Sequence, residues 1–276
     1  MNETETIIKD IIKKNFEKSN LYKRNLLKEY FQVLALDCIY SNEKYNKLVF
    51  YGGSCLSQCY SLPRLSEDLD FVDIEKKVSI EELADDLKNF FCKKTDFSVS
   101  IKPQKFRIYL KFPILKDFGL SSGAESDFLH LKIEIFKNFN FCRKYKTEIK
   151  PLFKNNKSIL IKTFDLPTLM ATKIRAVLHR KWGTIDKKGK TLISVKGRDY
   201  FDLMWYLEQG ISPNLDCIEE VETIDDLKKK LLAIVEKIDY KSITLDLENF
   251  ISDIAFVKKL GKNIKDILRN KIKDLK

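Results

Sequence analysis

The chain has 276 residues, 44% hydrophobic and 33% charged, with 51 Lys and Arg against 40 Asp and Glu, for a net charge of +11. The hydrophobic share excludes global disorder, the length suits one large domain or two ordinary ones, and the positive surplus points to a polyanionic partner. Six Cys without a Cys-x-x-Cys pair and only two His leave little material for a disulfide scaffold or a structural zinc site, so reduced thiols in a cytoplasmic protein are expected.

The first forty residues read as helix, with Ile7, Ile8, Ile11 and Ile12 at helical spacing and Tyr30, Val33, Leu34 and Ile39 in a second segment. Leu48–Tyr51 is a short apolar strand that runs into Gly52-Gly53-Ser54, and a short helix over Cys55–Tyr60 is expected next. Leu69–Val72 reads as a second strand and Ile80–Phe91 as an amphipathic helix. Phe97–Ile101, Phe106–Phe112 and Phe128–Phe136 alternate apolar and polar residues as strands do. After residue 140 strand signals fade, and helical patterns cover Asp165–Arg180, Arg198–Gln209, Ile224–Ile238 and Leu245–Leu275. The expected plan is therefore α/β: a mixed domain over residues 1–150 and an all-helical domain over residues 151–276. No apolar run reaches the ~18 residues of a membrane span, so no membrane partner is expected.

Gly52-Gly53-Ser54, followed by Asp68-Leu69-Asp70, is the strongest local signal. Strand alternation projects Asp68 and Asp70 from one face while Leu69 and Phe71 enter the core. Two adjacent carboxylates repel one another unless a cation lies between them, and hard oxygen ligands suit Mg²⁺. A Gly-Gly pair after a strand lets backbone N–H groups approach a phosphate, with Ser54 and the next helix N-terminus adding donors. In Leu129–Ile135 the alternation places Glu134 on the polar face of a strand, where it can complete a three-carboxylate site. Each piece alone also fits a turn glycine pair or solvent-facing acids.

On the helix from Asp165, Lys173 falls on or beside the apolar stripe of Leu166, Leu169, Met170, Ile174, Val177 and Leu178. An ammonium there needs an anionic partner: a nucleotide phosphate, or Asp199 or Asp202, which share one helix face. Gly183 with Gly189-Lys190-Thr191 imitates a phosphate-binding P-loop, but five residues intervene where four are required. Cys55 and Cys59 read as small core residues.

Gly52-Gly53-Ser54, then Arg64-Leu65-Ser66-Glu67-Asp68-Leu69-Asp70-Phe71, resembles the first motif of the nucleotidyltransferase fold as carried by the AbiEii/AbiGii toxin family. Lys173-Ile174-Arg175-Ala176 with Arg180, and Arg198-Asp199-Tyr200-Phe201-Asp202-Leu203, match later segments of that family. Lys181–Gly197 separates those segments by more residues than is usual and reads as an inserted basic loop centred on Lys187-Lys188-Gly189-Lys190.

The resemblance implies a nucleotidyltransferase-type mixed sheet followed by a helical domain closing over the cleft. It also implies a toxin of a toxin–antitoxin or phage-defence system, with an antitoxin partner. The expected activity is Mg²⁺-dependent transfer of a nucleoside monophosphate from an NTP to RNA, the tRNA 3′ end foremost. Asp68 and Asp70 are expected to hold metal, with Glu134 a third ligand or the general base. Gly52, Gly53, Ser54 and Lys173 are expected to grip phosphates, Arg64 and Ser66 to brace the strand or touch the nucleotide, and Asp199 to serve the site. Lys173→Met is expected to remain as stable as the unaltered chain. An RNA acceptor is favoured because Arg143–Lys162 carries seven basic residues and one acid, and Lys173–Arg198 nine and one, with aromatic residues interleaved. A small-molecule or protein hydroxyl as acceptor, and a non-catalytic basic nucleic-acid-binding protein, are the alternatives.

Overall fold

The computed structural model of the chain describes residues 3–123, 127–180, 184–185, 191–193 and 195–276. It divides into two compact units, Met1–Phe139 with Glu148–Thr163, and Asn140–Thr147 with Phe164–Lys276. The loop residues Lys187, Lys188, Gly189 and Lys190 lie outside the described residues.

The first unit runs α1 (Glu3–Lys14), α2 (Asn20–Tyr40), β1 (Val49–Tyr51), α3 (Gly52–Tyr60), β2 (Asp68–Val72), α4 (Ile80–Thr95), β3 (Ser100–Gln104), β4 (Arg107–Phe112), β5 (Leu129–Phe136), β6 (Thr147–Lys154) and β7 (Lys157–Phe164). Ser19 and Ser79 open α2 and α4 by accepting hydrogen bonds from Tyr22 N and Glu82 N, which satisfies backbone donors that the helix itself leaves unpaired. The seven strands form one sheet in the order β3-β4-β5-β2-β1-β7-β6. It is mixed: β2 pairs β5 in parallel and β1 pairs β7 in parallel, while β1–β2, β3–β4 and β4–β5 are antiparallel. Leu129, Leu131, Ile133 and Ile135 of β5 are buried, so alternation leaves Lys132 and Glu134 on the opposite face. The core is aromatic, with Phe31 of α2 4.4 Å from Phe112 of β4 and Phe50 stacked 5.1 Å from Phe71.

Residues 147–164 depart from the sequence reading, which expects strands to fade after residue 140. They form β6 and β7, joined by Asn155 and Asn156 at φ 52° and 57°. Two positive-φ residues linking consecutive strands make a tight antiparallel hairpin of the primed kind. Frequent lysines dilute the apolar alternation there, and Leu152, Ile159, Ile161, Thr163 and Phe164 are the buried positions.

The second unit contains α5 (Leu166–His179), β8 (Thr184–Ile185), β9 (Thr191–Ile193), α6 (Gly197–Glu208), a short 3-10 turn (Leu215–Cys217), α7 (Ile224–Val235), α8 (Tyr240–Leu247) and α9 (Ile254–Lys273). The β8–β9 pair corrects the expectation of an all-helical carboxy-terminal part. The single helix expected over Leu245–Leu275 is two, because Asp253 accepts from Phe256 N and starts a new helix at Ile254. In α9, Val257, Leu260, Ile264, Leu268 and Ile272 are buried at helical spacing.

Cys142 and Cys217, distant in sequence, lie side by side with their Cα atoms 3.8 Å apart. Arg143 N donates to Asp216 O (3.1 Å) and Asn214 Nδ2 to Lys144 O (2.7 Å), and these bonds bring the two sequence-distant cysteines together. Among the described residues no helix is long and apolar enough to cross a membrane.

Candidate active site

In the first unit the parallel pairing of β2 with β5 places Asp70 opposite Glu134 and Asp68 opposite Lys132. On its other side β2 pairs with β1, so Asp70 also lies opposite Tyr51, the residue before α3. Asp68, Asp70 and Glu134 thus share one patch of the sheet. Loss of water around the Asp70 carboxyl, then the negative charges of Asp68 and Glu134, push its pKa up to about 7. Asp68 is raised as well, chiefly by desolvation, although Lys132 opposes the shift.

Two cations that sequence reasoning missed stand among these acids. Lys132 Nζ lies 2.9 Å from Asp68 Oδ2 and 3.3 Å from Glu134 Oε1, and Arg107 Nε lies 2.5 Å from Glu134 Oε1. The signal was available: Lys132 is two residues before Glu134 and must share its strand face, and Arg107 begins the strand that pairs with β5. Glu134 Oε1 is nevertheless buried without a hydrogen bond of ordinary geometry.

Gly52 and Gly53 open α3, whose preceding residue, Tyr51, provides no side-chain cap. The first N–H groups of this helix are therefore left for another acceptor. Gly52 has φ +79°, and a Cβ there would stand 2.5 Å from Asp70 Oδ2, so glycine is what lets the helix start touch the carboxylate. A Cβ on Gly53 would meet Arg64 Nη2 at 2.5 Å and Ser66 Oγ at 3.1 Å. Arg64 is buried, with Nη1 donating to Leu65 O at 2.8 Å. Ser54 is buried and its hydroxyl donates to the Asp68 carbonyl, tying α3 to β2.

The donor set fits a hard divalent cation. It consists of carboxylate oxygens alone, and burial together with the charges of Asp68 and Glu134 disfavours Asp70 as an anion. Among the described residues no three acid, His or Cys side chains are already drawn into a metal cage. The Lys132 ammonium stands among the carboxylates instead.

Lys173 and Asp199 belong to the second unit. There Lys173 Nζ lies 2.8 Å from Asp199 Oδ1 and 2.7 Å from Asp202 Oδ2, with side-chain exposures of 11%, 5% and 0% for the three. Arg180 Nη1 reaches Asp199 Oδ2 at 2.7 Å. Burial raises the Asp199 pKa, but Lys173, Arg180 and Lys196 more than offset it and hold the carboxyl well below the usual range. Lys196 is brought down to about 8, first by burial; Asp199 opposes the shift, while Arg198, Arg180 and Lys173 add to it. Arg180, Lys196, Asp199 and Tyr200 line a small cavity of about 40 Å³. Arg175, of the same motif, is turned to another task, stacking 3.3 Å over Phe141 and pairing with Glu219.

A family model described as the nucleotidyl transferase AbiEii toxin of Type IV toxin–antitoxin systems matches residues 34–272. The chain belongs to the AbiEii family. As an AbiEii chain it is a nucleotidyltransferase toxin, with a nucleotide substrate and an antitoxin partner. Two solved structures are similar: JHP933 from Helicobacter pylori, 17% identical, covering 91% of this chain and 94% of that one with a TM-score of 0.47, and a putative nucleotidyltransferase from H. pylori, 17% identical, covering 91% and 97% with a TM-score of 0.45. None of the curated proteins matches the AbiEii chain.

Proposed function

We propose that this chain is a cytoplasmic, Mg²⁺-dependent toxin that transfers a nucleoside monophosphate from an NTP to an RNA hydroxyl, the tRNA 3′ end foremost. The observation that carries the reading is the meeting of Asp68, Asp70 and Glu134 across β2–β5, beside the helix start that Gly52 opens. Asp68 and Asp70 hold Mg²⁺, with Glu134 as a third ligand or as the base that takes the hydroxyl proton. When bound, the ion neutralises the triphosphate and lowers the pKa of the acceptor hydroxyl. In the transfer, the acceptor oxygen bonds to the α-phosphorus, the bond from that phosphorus to the bridging oxygen breaks, and pyrophosphate leaves.

Backbone N–H groups of Gly53 and Ser54 face the phosphates, as an uncapped helix N-terminus favours. The Ser54 hydroxyl, committed to the Asp68 carbonyl, braces the metal-binding strand. Arg64 and Ser66, whose side chains lie against Gly53, brace that strand or touch the nucleotide. In the second unit Lys173, Asp199 and Asp202 form a nearly buried ion cluster, with Arg180 and Lys196 beside it.

The test is incubation with each α-labelled NTP, total cellular RNA and Mg²⁺. Label should enter RNA, and Asp68→Asn and Asp70→Asn should each lower incorporation at least about 10²-fold, as loss of a strong transition-state contact does. Either variant retaining near-full activity would remove the carboxylate site from the reaction. Label in small molecules alone would move the acceptor to the small-molecule class. RNA binding without any transfer would leave a non-catalytic binder.

A further inference from the structure

Among the described residues, Lys132 is the cation that pairs with two of the three acids assigned to metal binding. Its Nζ lies 2.9 Å from Asp68 Oδ2 and 3.3 Å from Glu134 Oε1, while its side chain keeps 26% exposure. We infer that Lys132 is a resident counter-ion of the carboxylate site: its ammonium holds the acids together in the metal-free protein, and a divalent cation must displace it. The inference rests on the metal-binding reading of Asp68, Asp70 and Glu134.

Three features carry it. The pairing register fixes Lys132 opposite Asp68 and Glu134 opposite Asp70, so the ammonium cannot leave the patch by any slip of the strand that preserves the sheet. Three carboxylates on one patch repel one another, and an ammonium between Asp68 and Glu134 relieves part of that repulsion. The same lone pairs cannot serve an ammonium and a hard dication together, and two cations a few ångströms apart in a partly dehydrated site repel strongly. Arg107 cannot take over the role, because Glu134 is the one of the three acids with which its guanidinium pairs, from the neighbouring strand. A lysine suits a displaceable charge, since its compact ammonium swings on a flexible four-carbon stem. Metal entry and ammonium release are then one event, and Lys132 sets how much free metal the protein needs.

Mn²⁺ binding to the full chain, followed by titration calorimetry, tests this apart from activity. The unaltered protein should bind Mn²⁺ and Asp70→Asn should not. Lys132→Met should bind about tenfold tighter or more, since a competing cation has been removed. Without metal that variant should melt at a lower temperature than the unaltered protein and recover when Mn²⁺ is added. Lys132→Arg, which keeps the charge, should stay near the original affinity. Lys132→Gln repeats the comparison if the Met variant does not fold. If the unaltered protein binds Mn²⁺ and Asp70→Asn does not, yet removing the Lys132 charge leaves the affinity unchanged or weakens it, the counter-ion role is wrong and the metal site stands. An unaltered protein that binds no Mn²⁺ overturns the metal site itself.

Discussion

Lys173 attracts notice in the sequence because a cation on an apolar helical stripe must have an anionic partner. The structure supplies two, Asp199 and Asp202, both nearly inaccessible to water. That arrangement argues against full stability in Lys173→Met, because removing one member of a buried ion cluster strands the others. Lys173→Met should lose about 3–5 kcal/mol in urea unfolding, and replacing Asp202 by Leu as well should recover part of the loss. Unchanged stability of the single variant would show that the cluster is not held as described. Asp199 adds a pH signature. Its folded pKa lies well below the unfolded value of about 3.9, so its contribution is complete above about pH 5. As the pH falls below about 4 the unfolded chain takes up the proton first, and the contribution disappears as the folded pKa is passed. Unfolding free energy measured from pH 5 to 2 should therefore decline less steeply in Asp199→Asn than in the unaltered protein.

At the scale of elements, the β6–β7 hairpin rests on Asn155 and Asn156, both in left-handed backbone. Asn156→Gly should be neutral or slightly stabilising, whereas Asn156→Val should cost about 1–3 kcal/mol, because a β-branched residue resists positive φ. Equal melting temperatures for the two variants would argue against a primed turn. The Asn-Asn pair was the available clue to this hairpin, but the lysines around it hid the strands. Where apolar alternation is clean, as in Arg107–Phe112 and Leu129–Phe136, the sequence was sufficient to find β4 and β5. The carboxylates could be read for the same reason: alternation alone puts Asp68 with Asp70 and Glu134 on the polar face of its strand, although not its burial. What could not be read is register. That Lys132 meets Asp68 depends on β2 lying parallel to β5, two strands separated in sequence by α4, β3 and β4, and no local pattern encodes that choice. The closeness of Cys142 to Cys217 was hidden in the same way by their long sequence separation.

For the molecule as a whole, the net charge of +11 overstates what a polyanion meets, because many cations already have partners. Lys150, Lys154 and Lys157 in the first basic stretch pair with Glu148, Glu29 and Asp37. In the second stretch Lys173 and Arg180 are engaged by Asp199. The test of RNA recognition therefore belongs on Lys187, Lys188 and Lys190, which form a dense basic run with Asp186 as its sole neighbouring acid. A cation that contacts a phosphate releases a condensed counter-ion, so log K falls with log salt by about 0.7 per contact on single-stranded RNA. Replacing all three lysines by Gln should weaken RNA binding at low salt and make the slope shallower by about 2. An unchanged slope would take these residues out of the RNA interface. If RNA binding by the unaltered protein ignored salt altogether, phosphate contact would not be its basis, and the acceptor would have to be sought among small molecules.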